Sequence, residues 1–104
     1  MEGSTLKDNK DARRYELIAN GEVVGFAQYR MSGDTVTITH TEIDPAHEGK
    51  GYGSALAKQT LDQLKANRQN LIPACQFIAG YIGKHQEYAD LVASSKGNDR
   101  TTPR

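Results

Sequence analysis

The chain has 104 residues, room for one domain and no second core. Lysine plus arginine equals aspartate plus glutamate at 13 each, so no net field draws in nucleic acid or an anionic membrane surface. The lone Cys75 excludes an intramolecular disulfide, and no stretch approaches the roughly 20 apolar residues of a membrane-spanning helix. A soluble protein of a reducing, cytoplasmic compartment is therefore expected.

Residues 1–11 are polar, mixed in charge and without the apolar run of a signal peptide; they read as a flexible leader. From Arg13 onward Tyr15, Leu17 and Ala19 alternate with Arg14, Glu16 and Asn20, the period of a strand. Asn20-Gly21 then predicts a hairpin, because both central positions of a type I′ turn need positive φ. The return strand runs from about Glu22 to Met31, with Val24 and Phe26 on one face and Val23, Ala27, Tyr29 and Met31 on the other. After the turn Ser32-Gly33-Asp34, the β-branched run Thr35 to Ile43 predicts a third strand, which Pro45 terminates.

Ser54 to about Asn67 reads as a helix with Leu56, Ala57, Thr60, Leu61 and Leu64 on its buried stripe. Leu71 to Ala74 reads as a short fourth strand. Phe77, Ile78, Tyr81 and Ile82 then repeat at helical spacing, placing Cys75 at the start of a second helix. A last amphipathic turn spans Glu87 to Ala93, and residues 94–104 hold nothing apolar and read as a disordered tail. The expectation is an α+β fold in one domain over residues 12–93. It consists of a three-stranded antiparallel meander, a helix, a fourth strand and a short second helix.

Between the third strand and the first helix lies Glu48-Gly49-Lys50-Gly51-Tyr52-Gly53. Glycines there let backbone amides converge on an anion. The opening amides of a helix lack internal partners and carry the positive end of its dipole. Lys50 adds a full charge. A glycine-rich helix entry that binds nothing is the alternative. A nucleotide-hydrolysing phosphate loop is excluded, since its lysine follows the last glycine and precedes Ser or Thr. A dinucleotide fingerprint is excluded as well: the spacing here is G-x-G-x-G, and antiparallel strands precede it.

The segment Glu48 to Gly53 resembles the coenzyme A signature Q/R-x-x-G-x-G/A of the GNAT superfamily of N-acetyltransferases. With His40-Thr41-Glu42-Ile43-Asp44-Pro45 before it and Ser54-Ala55-Leu56 after it, it is similar to the small single-domain members of that superfamily. Pro73, Cys75, Phe77, Tyr81 and His85-Gln86-Glu87-Tyr88 match their later hallmarks, so the likeness spans Tyr15 to Val92. Glu48 departs from the usual Gln or Arg and sets a carboxylate near a diphosphate. The resemblance implies a GNAT-like fold and acetyl-coenzyme A as co-substrate, with no metal. It implies an amine acceptor, a small molecule or a protein, and a monomer or weak dimer. A coenzyme A-binding or interaction module without turnover is the alternative.

The resemblance also implies that Ile43, Glu48, Gly49, Lys50, Gly51, Tyr52, Gly53 and Ser54 hold the cofactor. Lys84, with His85, is in reach of an adenosine phosphate; the alternative is a pair of solvated charges near a helix end. It places His40 and Cys75 at the substrate cleft as catalytic candidates. His40 is expected on the face of Val36 and Ile38, and histidine is a residue type that can accept a proton near neutral pH. Cys75 at a helix start has the setting of a lowered thiol pKa, so an acetyl-cysteine route competes with direct attack by the amine. Each also has a structural reading, as a hydrogen-bonded sheet histidine and a small buried hydrophobe. Tyr81 and Tyr88 are candidate proton donors or core aromatics.

Overall fold

A computed structural model describes residues 3–92. Five strands lie side by side in chain order: β1 (Ser4–Asn9), β2 (Arg14–Ala19), β3 (Glu22–Ser32), β4 (Thr35–Ile43) and β5 (Asn70–Pro73). The first four are antiparallel, and β5 runs parallel to β4. Helix α1 (Tyr52–Ala66) joins β4 to β5, and α2 (Gln76–Lys84) follows β5. Both cover one sheet face. Tyr15, Leu17, Ala27, Tyr29, Val36 and Ile38 meet Leu56, Leu61, Leu64, Ile78 and Ile82 in one core.

The meander, the β4 boundaries and the α1 stripe match the sequence pattern, and Asn20 and Gly21 both have positive φ, as a type I′ hairpin requires. Helix α1 starts at Tyr52 rather than Ser54. The leader expected over residues 1–11 is corrected. Ser4–Asn9 forms strand β1, paired with β2 from Ser4 opposite Ala19 to Asn9 opposite Arg14. Leu6 packs on the core, Ser4 accepts a hydrogen bond from Gln59 of α1 at 3.0 Å, and Asp8 accepts one from Tyr29 at 2.6 Å. An edge strand with one side chain in the core carries too little alternation to declare itself in sequence. The expected tail, residues 94–104, lies outside the described residues.

Two bulges reassign faces. Leu17 pairs with Gly25 but Ile18 with Val23, so Val24 is the extra residue on β3. Val24 is thereby buried alongside Ala27 and Tyr29, while Val23 and Met31 are exposed, contrary to the face pairing expected from alternation. Gln28 pairs with His40 but Tyr29 with Ile38, so Thr39 is the extra residue on β4. Val36 and Ile38 face the helices before that bulge; Thr41 and Ile43 face them after it. His40 and Glu42 turn to the opposite face. The expectation that His40 shares a face with Val36 and Ile38 is therefore corrected: a bulge inverts every later side chain on its strand.

The β4–β5 ladder ends at Ile38 opposite Pro73. Beyond it the chain turns into α2, which leaves the second half of β4, among the described residues, without a strand neighbour on that side. This split is where the site forms. Gly25 lets β3 close on β4 there: a Cβ at that position would meet Ile43 Cδ1 at 2.5 Å and the Glu42 carbonyl oxygen at 2.9 Å.

Candidate active site

Pro45 ends β4, and Asp44 caps the short 3-10 turn Pro45–His47 by accepting the Ala46 N–H at 3.0 Å. Gly49 and Gly51 then adopt φ of 85° and 84°, the left-handed region where a side chain is strained. Gly51 is the N-cap of α1, and among the described residues no side-chain cap hydrogen bond closes its first turn. The first helical bond runs from the Ala55 N–H to the Gly51 carbonyl at 3.2 Å. A Cβ at Gly49 or Gly51 would meet nothing within 4 Å, so open space stands over the turn. Gly53 serves packing instead: a Cβ would come within 3.3 Å of the Phe77 ring. Free amides at a helix opening, glycines and a nearby lysine together fit a diphosphate.

A recess of about 350 Å³ opens between this turn, β4 and α2. Six of the residues expected to hold the cofactor line it: Ile43, Glu48, Gly49, Gly51, Tyr52 and Gly53. Lys50 is exposed and lines no part of it. Ser54 and Lys84 line an adjoining recess of about 320 Å³, joined to the first through Phe77, which walls both. A larger recess of about 500 Å³, beside Asp8, Arg13, Tyr15 and Tyr29, includes none of the expected site residues.

The Asp44 N–H bonds to the Val24 carbonyl at 2.8 Å, so Asp44 donates toward β3. Antiparallel alternation turns the preceding donor, Ile43 N–H, away from β3 and into the split. The Thr41 N–H, two residues earlier, points the same way and lies against Cys75. That orientation suits Ile43 to polarise a carbonyl held along β4.

Cys75 is half-buried at the N-cap of α2, its Sγ 3.4 Å from the Thr41 hydroxyl. Burial pushes its pKa up. The Thr41 hydroxyl and the backbone amides of Ile78, Phe77 and Thr41 outweigh that effect and bring the thiol below its ordinary value. His40 is exposed on the other face, its Nε2 3.1 Å from Glu42 Oε1 and its ring 6.1 Å from that of Phe26. The structure thus brings Cys75 together with Thr41, and His40 with Glu42. It does not pair His40 with Cys75.

Sequence reasoning missed Thr41, Glu42, His47, Leu56 and Phe77 as lining residues. Counting back from Ile43 in steps of two reaches Thr41, once the bulge at Thr39 is known. His47 sits on an irregular turn, its Nε2 3.5 Å from Glu22 and its ring edge-on to Tyr52. Nothing in the sequence pattern marks that packing. Among the described residues, no three His, Cys, Asp or Glu side chains group as a metal site, and no helix is long and apolar enough to cross a membrane.

The family model described as GCN5-related N-acetyl-transferase matches residues 14–91. The chain is 35% identical over 63 residues to the [ribosomal protein bS18]-alanine N-acetyltransferase of Haemophilus influenzae, over 59% of this chain and 43% of that protein. It therefore spans less than half the length of that curated relative. Among solved structures, a GCN5-like protein of Staphylococcus aureus studied by NMR superposes with a TM-score of 0.64. It is 20% identical, over 88% of this chain and 90% of that one. The ribosomal-protein-S18-alanine N-acetyltransferase of Escherichia coli gives 0.51 at 24% identity, over 68% of this chain and 41% of that one. At those identities the two structures speak to the fold alone.

Proposed function

The chain belongs to the GCN5-related N-acetyltransferase family, and from that premise we propose that it transfers an acetyl group from acetyl-coenzyme A to an amine. The observation that carries the reading is the meeting of the glycine turn with the β4–β5 split. Unpartnered amides for a diphosphate stand at one end of a recess. An inward-turned backbone N–H stands on its wall.

The thioester supplies an activated acyl carbon. The Ile43 N–H is oriented to stabilise the oxyanion that forms when an uncharged amine attacks that carbon. The C–N bond forms, the C–S bond breaks, and the thiolate departs with the cofactor. The helix-covered face is filled by core, so the acceptor approaches from the open face. Glu42 lines both the donor recess and an outer recess beside Val23, Phe26 and Asp44. His40, hydrogen-bonded to Glu42, is the residue of that face suited to take the proton the amine sheds.

Direct attack is favoured over an acetyl-cysteine, because Cys75 has a hydroxyl partner and, among the described residues, no base. The alanine α-amine on which the Haemophilus relative acts by name is a first acceptor to try. The test combines acetyl-coenzyme A, a panel of small amines, lysine peptides and alanine-ended peptides, thiol release and product mass. An acetylated amine is expected, and His40→Ala is expected to slow its formation about 100-fold. Coenzyme A binding without acetylation of any amine would favour the non-catalytic module.

A further inference from the structure

The recess of about 500 Å³ takes no part in the transfer proposed above. Met31 and Tyr29 of its wall pair with Val36 and Ile38 in the first half of β4, while Ile43 stands at the other end of that strand, about 20 Å from Val36. Opposite charges share this recess without meeting. Asp8 on β1, half-buried, accepts the Tyr29 hydroxyl on Oδ1 at 2.6 Å, and its Oδ2 has no hydrogen-bond partner among the described residues. Lys10 and Arg13, both exposed, flank the β1–β2 turn and line the same recess. Burial raises the Tyr29 pKa and the Arg13 charge works against it, so that guanidinium stands near the Tyr29 hydroxyl. Among the described residues no ion pair joins Asp8 to either cation. Tyr15 lines the recess too: its side chain is 2% exposed, and its hydroxyl has no hydrogen-bond partner among the described residues.

A lone anion placed there meets Asp8, and a lone cation meets Lys10 and Arg13. A zwitterion satisfies both walls, because its ammonium takes the free Asp8 oxygen while its carboxylate faces the two cations. The rest of the wall is uncharged. Met31, 46% exposed, offers thioether and methylene surface, and Asn67 and Gln69, hydrogen-bonded to each other at 3.4 Å, offer amides. A volume of that size suits a small molecule. We propose that the recess between the β1–β2 turn and the end of α1 is a binding site for an α-amino acid with an uncharged side chain. Its ammonium pairs with Asp8, its carboxylate with Arg13 and Lys10, and its side chain lies against Met31. The amino acid held here is distinct from the acceptor amine, and it ties β1 and its turn to the end of α1.

Calorimetric titration of the full chain with L-alanine, L-serine, L-valine, L-methionine and L-glutamine tests it. At least one is expected to bind with a dissociation constant of about 1 mM or lower, and its 2-hydroxy acid and its decarboxylated amine at least about tenfold more weakly. Asp8→Asn keeps an oxygen for the Tyr29 hydroxyl, and Arg13→Asn keeps a residue type that tolerates the φ of 56° at that position. Each variant should fold and bind the amino acid about fivefold more weakly. In NMR spectra the side-chain amide signals of Asn67 and Gln69 are expected to shift on titration. No binding by any of these amino acids at about 10 mM would overturn the inference. So would a 2-hydroxy acid that binds equally well, the mark of a simple anion site, or an affinity unchanged in both variants. Shifts confined to Thr41, Glu42 and Ile43 would overturn it as well, because the amino acid would then occupy the acceptor site. The transferase reading stands in each of these cases.

Discussion

At the scale of the residue, Cys75 shows how a weak sequence cue becomes a defined chemical state. Its place at a helix opening was legible, because Phe77, Ile78, Tyr81 and Ile82 set the helix frame around it. Its partner was not. Thr41 reaches Cys75 only because the bulge at Thr39 exchanges the faces of β4, and the same exchange removes His40 from that side. The lowered thiol pKa therefore depends on the Thr41 hydroxyl and on amides, not on an imidazole. Thr41→Val keeps the shape and removes the hydroxyl, so the thiolate loses a donor and its pKa rises. At neutral pH Cys75 of the wild type is expected to react with iodoacetamide faster than Cys75 of Thr41→Val, by about threefold to tenfold. Cys75→Ala is expected to keep more than about half of the acetyl-transfer rate, as the proposed direct attack by the amine requires. Equal alkylation rates would show that the hydroxyl does not tune the thiol. Loss of activity in Cys75→Ala would restore the covalent route.

At the scale of the element, the proposed anion site rests on the opening of α1. Most helices close their first turn with Ser, Thr, Asp or Asn at the N-cap. Here Gly51 holds that position at φ 84° and offers no oxygen, so the opening amides stay available. Composition alone could not separate this from a silent glycine-rich entry. The decisive feature, open space over Gly49 and Gly51 beside the β4–β5 split, is a property of three elements together. Gly51→Ala forces a left-handed residue to carry a Cβ, at a cost of about 1–2 kcal/mol. Because the space above is free, that cost falls on backbone conformation rather than on a clash. The variant is expected to fold with a melting temperature lower by several degrees and to bind coenzyme A at least about tenfold more weakly, as read by calorimetry. A variant that lost the stability and kept the affinity would show that the turn's conformation is not what aligns the amides.

At the scale of the molecule, five strands and two helices on one face leave a core rich in tyrosine, and this sets how stability responds to pH. Burial and the neighbouring Asp8 raise Tyr15 from 10.0 to about 12. Burial and a hydrogen bond to Asp8 raise Tyr29, and burial and a bond to Asp62 raise Tyr88. A group whose folded pKa exceeds its unfolded value stabilises fully below the unfolded value and loses that contribution as pH rises through the folded one. Stability should therefore hold to about pH 10 and fall steeply above it, because the unfolded chain sheds tyrosine protons that the native chain retains. Glu16 acts in the opposite sense. A hydrogen bond from Arg14 at 2.8 Å, set against burial and aided by Asn9, lowers its pKa from 4.5, so its contribution fades as pH drops below about 5. Urea denaturation across pH 3 to 11 should trace a plateau with two falling limbs. Tyr15→Phe keeps the ring against Tyr29, 4.6 Å between centroids, and removes the ionising hydroxyl, so it should flatten the alkaline limb and leave the acid limb in place. An unchanged alkaline limb in that variant, with tyrosinate absorbance appearing in the folded protein at pH 10, would show that the ring titrates without unfolding the chain.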